Sequence, residues 1–239
     1  MDMMLLLLTI GIFLGFFVQT ITGFAGALIA LPFLLFVMPL SDAIGYLSIF
    51  YFISTPIYVY KEWKYIDKQL LIKLAPSSFF GLLIGIIVLV YTQPIFLKKA
   101  LGLFIILYAL NNLKEKKEIQ LISKMKYFFG FLGGFFSGLF STGGPLYLII
   151  IRSETSNVKT LRATMFGALG LITLMRIPIL AFEGILSVSQ FYNAMFVLPF
   201  FIVALLLGNK VYLKLNEFIL KRIMLGLLFL SGIMLLVKN

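Results

Sequence analysis

The sequence predicts an all-α polytopic membrane protein made of two inverted repeats. Each repeat is a broken helical hairpin, re-entrant or built of two short spans, followed by three transmembrane helices. Three observations carry this expectation. Of 239 residues, 62% are hydrophobic and only 12% are charged, with a mean hydropathy of +1.09; a soluble domain is roughly half apolar and a quarter charged. The apolar residues gather into eight long runs separated by short polar loops. Two of those runs carry Gly-rich interruptions and resemble each other across half the chain.

The runs are 4–39, 43–60, 70–91, 95–113, 127–151, 161–180, 191–207 and 218–237. A helix needs about 20 apolar residues to cross a bilayer, so six of them read as single crossings. The first is too long for one helix. It opens with "MDMMLLLLTIGIFLGFFVQ", which lacks the basic start of a secretory signal and stays apolar to Leu40, so it reads as a retained first membrane segment. The first and fifth runs both proceed from Gly and an aromatic pair to Thr-Gly and then an apolar stretch: "GFFVQTITGFAGALIALPFLL" from Gly15 and "GGFFSGLFSTGGPLYLIII" from Gly133. Thr22-Gly23 aligns with Thr142-Gly143 at a separation of 120 residues. The expected repeats are therefore 1–118, with hairpin 4–39, and 119–239, with hairpin 127–151, together one membrane domain.

Loop charge decides whether the broken runs cross or return. If every run crossed once, the two sides would carry ten and nine Lys and Arg, leaving aside Arg176 within a run. If both broken runs return to their starting side, one side keeps Lys98, Lys99 and Lys238, and the other gathers the remaining sixteen. A cytoplasmic excess of basic residues is the rule, so hairpins are expected, with both termini outside a bacterial inner membrane. The net charge of +11 follows from the same flanking loops and calls for no nucleic acid.

The chain has no Cys and no His. Disulfides, thiolate chemistry and the usual zinc, copper and haem ligand sets are thereby excluded, and no metal or other cofactor is expected. An intramembrane enzyme would need a nucleophile with a base, and no Ser-Lys or Thr-Lys pair stands near the breaks, so the chain reads as no enzyme.

Irregular backbone at membrane depth is tolerated only where protein or a water-filled cavity surrounds it. Gly143, Gly144 and Pro145 read as a helix stop and restart, since Pro suits a first helical turn; Gly23 and the chain up to Pro32 read likewise. A helix that starts mid-membrane presents free N–H groups and a partial positive charge. Gln19, Thr22, Ser141 and Thr142 add polar groups beside Gly23, Phe24, Gly143 and Gly144. Arg162 and Arg176 in the sixth run add charge suited to oxyanions, Arg176 with Glu183 as an alternative partner. Two such tips are expected to converge near the midplane on a small anion. Gly130, Gly134 and Gly138, and Gly11 and Gly15, are spaced instead for tight helix packing.

At these residues the chain resembles the TauE/SafE family of membrane permeases: Gln19-x-x-Thr22-Gly23-Phe24-Ala25-x-Ala27-Leu28-x-Ala30-Leu31-Pro32 in the first half, Gly138 to Pro145 in the second, and Arg162-Ala163-Thr164 after it. The resemblance implies transport of sulfite, organosulfonates such as sulfoacetate, or related organic anions, with the two Gly-rich elements and the following Arg at the anion. Both elements depart from the commonest Gly-x-Gly-Gly-Gly form. The expectation is a secondary permease with alternating access between inverted halves. An anion channel or a small-carboxylate carrier is the alternative, and a purely structural subunit would leave the breaks unexplained. The expected partners are the anion and membrane lipid. A coupling ion (H+ or Na+) and a homodimer are both left open, although a proton relay would depend on Asp42 or Glu183.

Overall fold

The computed structural model describes residues 3–113 and 125–212. Among these residues there are nine α-helices and no strand. They are α1 (Met3–Thr22), α2 (Gly26–Leu34), α3 (Leu40–Glu62), α4 (Lys68–Tyr91), α5 (Pro94–Leu113), α6 (Lys126–Phe140), α7 (Gly144–Glu154), α8 (Val158–Phe182) and α9 (Val188–Tyr212), with a 3-10 turn at Trp63–Tyr65. The eighth apolar run, 218–237, the repeat boundary at 118 and 119, and the loop lysines between 114 and 124 lie outside the described residues. Five helices are long and apolar enough to cross a membrane: Met3–Thr22, Leu40–Tyr65, Lys68–Tyr91, Val158–Phe182 and Val188–Tyr212. The helices outrun the apolar stretches because polar ends stay in the hydrogen-bonded turn. At the start of α8 the Asn157 side chain accepts from the N–H groups of Lys159 and Thr160 at 3.0 and 3.1 Å, a side-chain cap.

Both broken runs are helical pairs. The run 4–39 is α1 plus the nine-residue α2, and the run 127–151 is α6 plus the eleven-residue α7. At 1.5 Å per residue, α2 and α7 are about 13 and 16 Å long. A hydrocarbon core is about 30 Å thick, so neither returning limb is long enough to cross it.

The chain forms two compact units, one comprising residues 1–43, 92–116 and 192–239 and the other residues 44–91 and 117–191. In the first, α2 folds back antiparallel on α1. A Cβ at Gly15 would lie 2.6 Å from the Gly26 carbonyl oxygen, and one at Gly11 would lie 2.6 Å from Leu34 Cδ1. On the same α1, Phe16 meets Phe201 of α9 edge to face at 5.0 Å, and Gly208 of α9 sits against Phe17 and Thr20. The rising numbers on both helices make α1 and α9 parallel.

In the second unit α4 and α6 run parallel, almost backbone on backbone. A Cβ at Gly134 would collide with Ser78, at Gly138 with Leu82, at Gly81 with Phe131 and at Gly85 with Phe135. The spacing of Gly130, Gly134 and Gly138 is thus the packing stripe expected of it. Limb α7 returns along α6: the Tyr147 ring covers Gly133, and Lys126 pairs with Glu154 at 3.5 Å where the limbs begin and end. Helix α8 is parallel to α4, with the Thr164 hydroxyl accepting from Asp67 N–H at 2.9 Å, and antiparallel to α3. Lys61, Lys64, Lys68, Lys126, Arg152 and Lys159 consequently share one end of this unit. There Lys68 lies over the exposed Trp63 ring at 4.2 Å and Lys159 over Tyr65 at 4.0 Å, side chains suited to a membrane interface. In both units the first limb of a hairpin packs in parallel on the second single span of the other half of the sequence: α6 on α4, and α1 on α9.

Candidate anion site

The second break is built by a residue in the wrong backbone basin for its type. Ser141 ends α6 in the left-handed region, at φ 59°, which costs a non-glycine residue about 1–2 kcal/mol. Its N–H and that of Thr142 turn back to the carbonyl oxygens of Ser137 and Phe136 at 2.9 and 3.2 Å. Gly143 follows with ordinary φ, and it must be glycine for space: a Cβ would run into the Gly133 carbonyl and the Ser137 hydroxyl. Gly144 and Pro145 then open α7, with Gly143 O accepting from the N–H groups of Leu146 and Tyr147. No side chain caps this helix start.

The turn holds the Ser141 hydroxyl toward Arg176. From α8, Arg176 Nη1 donates to Ser141 Oγ at 2.6 Å and to the Ser137 carbonyl at 3.0 Å, while its guanidinium lies 5.6 Å from the Tyr51 ring of α3. Arg176 is 2% exposed. Its Nε has no hydrogen-bond partner, and among the described residues no carboxylate pairs with it. Glu183, the alternative partner, caps the end of α8 and is exposed. The Thr142 hydroxyl is also buried without a partner. A buried cation without a counter-charge, beside an unbonded hydroxyl and an uncapped helix N-terminus, is an incomplete electrostatic arrangement. An oxyanion supplies what is missing: negative charge and several acceptor atoms.

Arg162 is placed otherwise. It stands fourteen residues earlier on the same face of α8, about 21 Å along the axis, and is ion-paired with Glu62 of α3. The two helices face each other through matched positions. Arg162, Phe166, Gly170 and Arg176 on α8 oppose Glu62, Tyr58, Thr55 and Tyr51 on α3, with Phe166 stacked on Tyr58 at 4.3 Å. The structure thus brings Ser141, Thr142, Gly143, Gly144, Pro145 and Arg176 together and leaves Arg162 at the basic end.

The first break belongs to the other unit. Gly23 is at φ 81° and Ala25 at φ 74°, so the chain turns through two left-handed residues before α2 starts at Gly26. The Thr22 hydroxyl reaches the carbonyl oxygens of Val18 and Phe24 at 3.0 and 2.6 Å and lies 3.2 Å from Phe24 N. The turn is largely closed on itself. Gln19 is the exception: it is 1% exposed, and neither its Oε1 nor its Nε2 has a partner. Pro32 sits inside α2, two residues before its end, so the helix restarts at Gly26, where glycine follows the left-handed Ala25.

Two residues that the sequence reading passed over join the site, Ser137 and Tyr51, and a third, Glu62, pairs with Arg162 at the basic end. Their only sequence signal is helical spacing, Tyr51, Thr55, Tyr58 and Glu62 recurring at intervals of four, three and four. The spacing marks a face but names no partner for it.

A family model described as sulfite exporter TauE/SafE matches residues 7–235. No curated protein and no solved structure gave a match.

Proposed function

The chain belongs to the sulfite exporter TauE/SafE family of membrane transporters, and on that premise we propose that it is a secondary carrier for a small oxyanion, sulfite or a sulfonate such as sulfoacetate. The observation that carries this reading is Arg176, buried, bonded to Ser141 at 2.6 Å and without a carboxylate. The anion takes its counter-charge from Arg176 and a hydrogen bond from the Thr142 hydroxyl. Alternating exposure follows from the two repeats moving against each other. The pairing of each hairpin's first limb with the second span of the other half supports a duplicated, inverted origin. The shared basic end of the second unit supports a cytoplasmic face there and placement in a bacterial inner membrane, and the burial of Arg176 supports a site enclosed by protein.

Uptake of radiolabelled sulfite and sulfoacetate into proteoliposomes tests the reading, with Arg176→Gln as the variant. Removing an uncompensated buried charge is neutral or stabilising for the fold, so the variant should keep or raise its melting temperature. Transport should fall by at least about thirtyfold, the low end for losing one partner of a buried charge pair. Wild-type rates in Arg176→Gln would remove Arg176 from the site. Saturable flux with counterflow marks a carrier; an ohmic conductance would make the protein a channel.

A further inference from the structure

We propose that Arg162 is a second anion station at the basic end of the protein, held by the chain's own Glu62 carboxylate, which a soluble carboxylate or sulfonate displaces. The choice of ligand rests on the carrier reading; the geometry does not. The Glu62 carboxylate is chemically the kind of group such a station would take, a resonance-stabilised oxyanion on a guanidinium. It occupies the station incompletely. One oxygen pairs with Arg162 Nη1, while the other, Oε2, is buried with no hydrogen-bond partner. A carboxylate oxygen removed from water without a donor is penalised. Exchanging Glu62 for an anion that brings a better fit therefore costs less than breaking a fully bonded pair.

The surroundings suit this exchange. Arg162 is 3% exposed, with the faces of Tyr58 and Phe166 lying 5.6 and 5.1 Å from its guanidinium carbon. Aromatic faces hold the cation in place and leave acceptors to approach its edge. Lys61 on α3 and Lys159 on α8 add positive charge around Glu62, and Lys64 and Lys68 stand on the same end, so small anions concentrate at this end. The Glu62 side chain is 16% exposed against 4% for Arg162, so the carboxylate is the more accessible partner and the station opens when Glu62 moves. The stacked Tyr58 and Phe166 rings come next on the α3–α8 face, and Gly170 against Thr55 and Arg176 against Tyr51 follow. An anion released from Arg162 thus has its next cation on the same helix face.

Trp63, the one tryptophan in the chain, is bonded to Glu62 along the backbone and reports on it. Fluorescence of the purified full-length protein, titrated with sulfoacetate at constant ionic strength, should change saturably. Glu62→Gln keeps the side-chain size and removes the competing charge. It should lower the titration midpoint about tenfold, the worth of one charged hydrogen bond. Arg162→Gln should abolish the response, and the double variant Glu62→Gln, Arg162→Gln, which leaves no unpaired carboxylate, should fold and also give none. No saturable change in the wild type, a response that survives in the double variant, or an unshifted midpoint in Glu62→Gln would each overturn the station. A proteoliposome assay on the same preparations separates the two ideas. Arg176-dependent transport with no Trp63 response defeats the station alone, and an Arg162-dependent response without transport defeats the carrier reading alone.

Discussion

The two breaks share a sequence grammar and differ in where their polar groups point. At Thr22–Ala25 the hydroxyl of the threonine bonds back into its own turn, to Val18 and Phe24. At Ser141–Gly144 the serine hydroxyl is given to Arg176, and the threonine hydroxyl is given to nothing. Among the described residues, both buried charges, Arg162 and Arg176, belong to the unit of the second break. A backbone interruption is therefore not a binding site by itself. One that satisfies its own donors and acceptors is a joint; one that leaves them open beside a buried charge keeps hydrogen-bonding capacity to offer.

The contrast is sharpest at the two glycines. Gly143→Ala should be strongly damaging, because the added carbon meets both a backbone oxygen and a hydroxyl. A loss of about 3 kcal/mol or more, the upper end for overpacking, should show as a large drop in thermal stability in detergent. Gly23→Ala is penalised by its φ of 81° instead of by space and should lose about 1–2 kcal/mol. Gly23→Asn should recover part of that, since Asn tolerates the left-handed basin. Equal melting points for Gly143→Ala and Gly23→Ala would erase the distinction between space and torsion.

The two strained residues separate stability from function. Ala25→Gly relieves a left-handed alanine and should gain about 1 kcal/mol with transport unchanged. Ser141→Gly relieves the same strain and removes the oxygen on Arg176. Its melting point should move little, while transport should fall by about tenfold, as expected for one hydrogen bond to a charge. If Ser141→Gly transports like wild type, the serine serves the turn alone.

The smallest effects come from the threonines, and they should have opposite signs. Thr22→Val deletes bonds made within the turn and should cost about 1 kcal/mol of stability. Thr142→Val deletes a hydroxyl with no partner in the empty protein, so stability should hold or rise slightly, yet anion affinity measured by transport KM should weaken several-fold. A Thr142→Val variant that loses stability and keeps its KM would show that hydroxyl to be structural.

Much of this molecule was legible before folding. The all-helical membrane character follows from composition, because so much apolar surface has nowhere else to go. The stop at Thr142-Gly143 and the restart at Pro145 follow from covalent geometry, since adjacent glycines and a proline prescribe backbone conformation locally. The packing stripe Gly130, Gly134, Gly138 was legible for the same reason: helical period alone puts those positions on one face. Pro32 and Gly26 show the limit, for the restart of the first break depends on a left-handed alanine that no propensity predicts.

What only the tertiary structure decided is which charge is free. Arg162 and Arg176 are fourteen residues apart on one helix face and look alike in sequence, both arginines within an apolar run. Their difference is made by α3, which sets Glu62 against the first and Tyr51 against the second. Whether a buried cation is neutralised depends on a partner about a hundred residues away in the chain, and pairings across such distances are fixed by packing of whole helices, not by any local pattern. By itself the sequence determined that the backbone breaks and where the basic residues gather; the fold determined that Arg176, held by a strained serine, is the buried arginine that no carboxylate among the described residues pairs with.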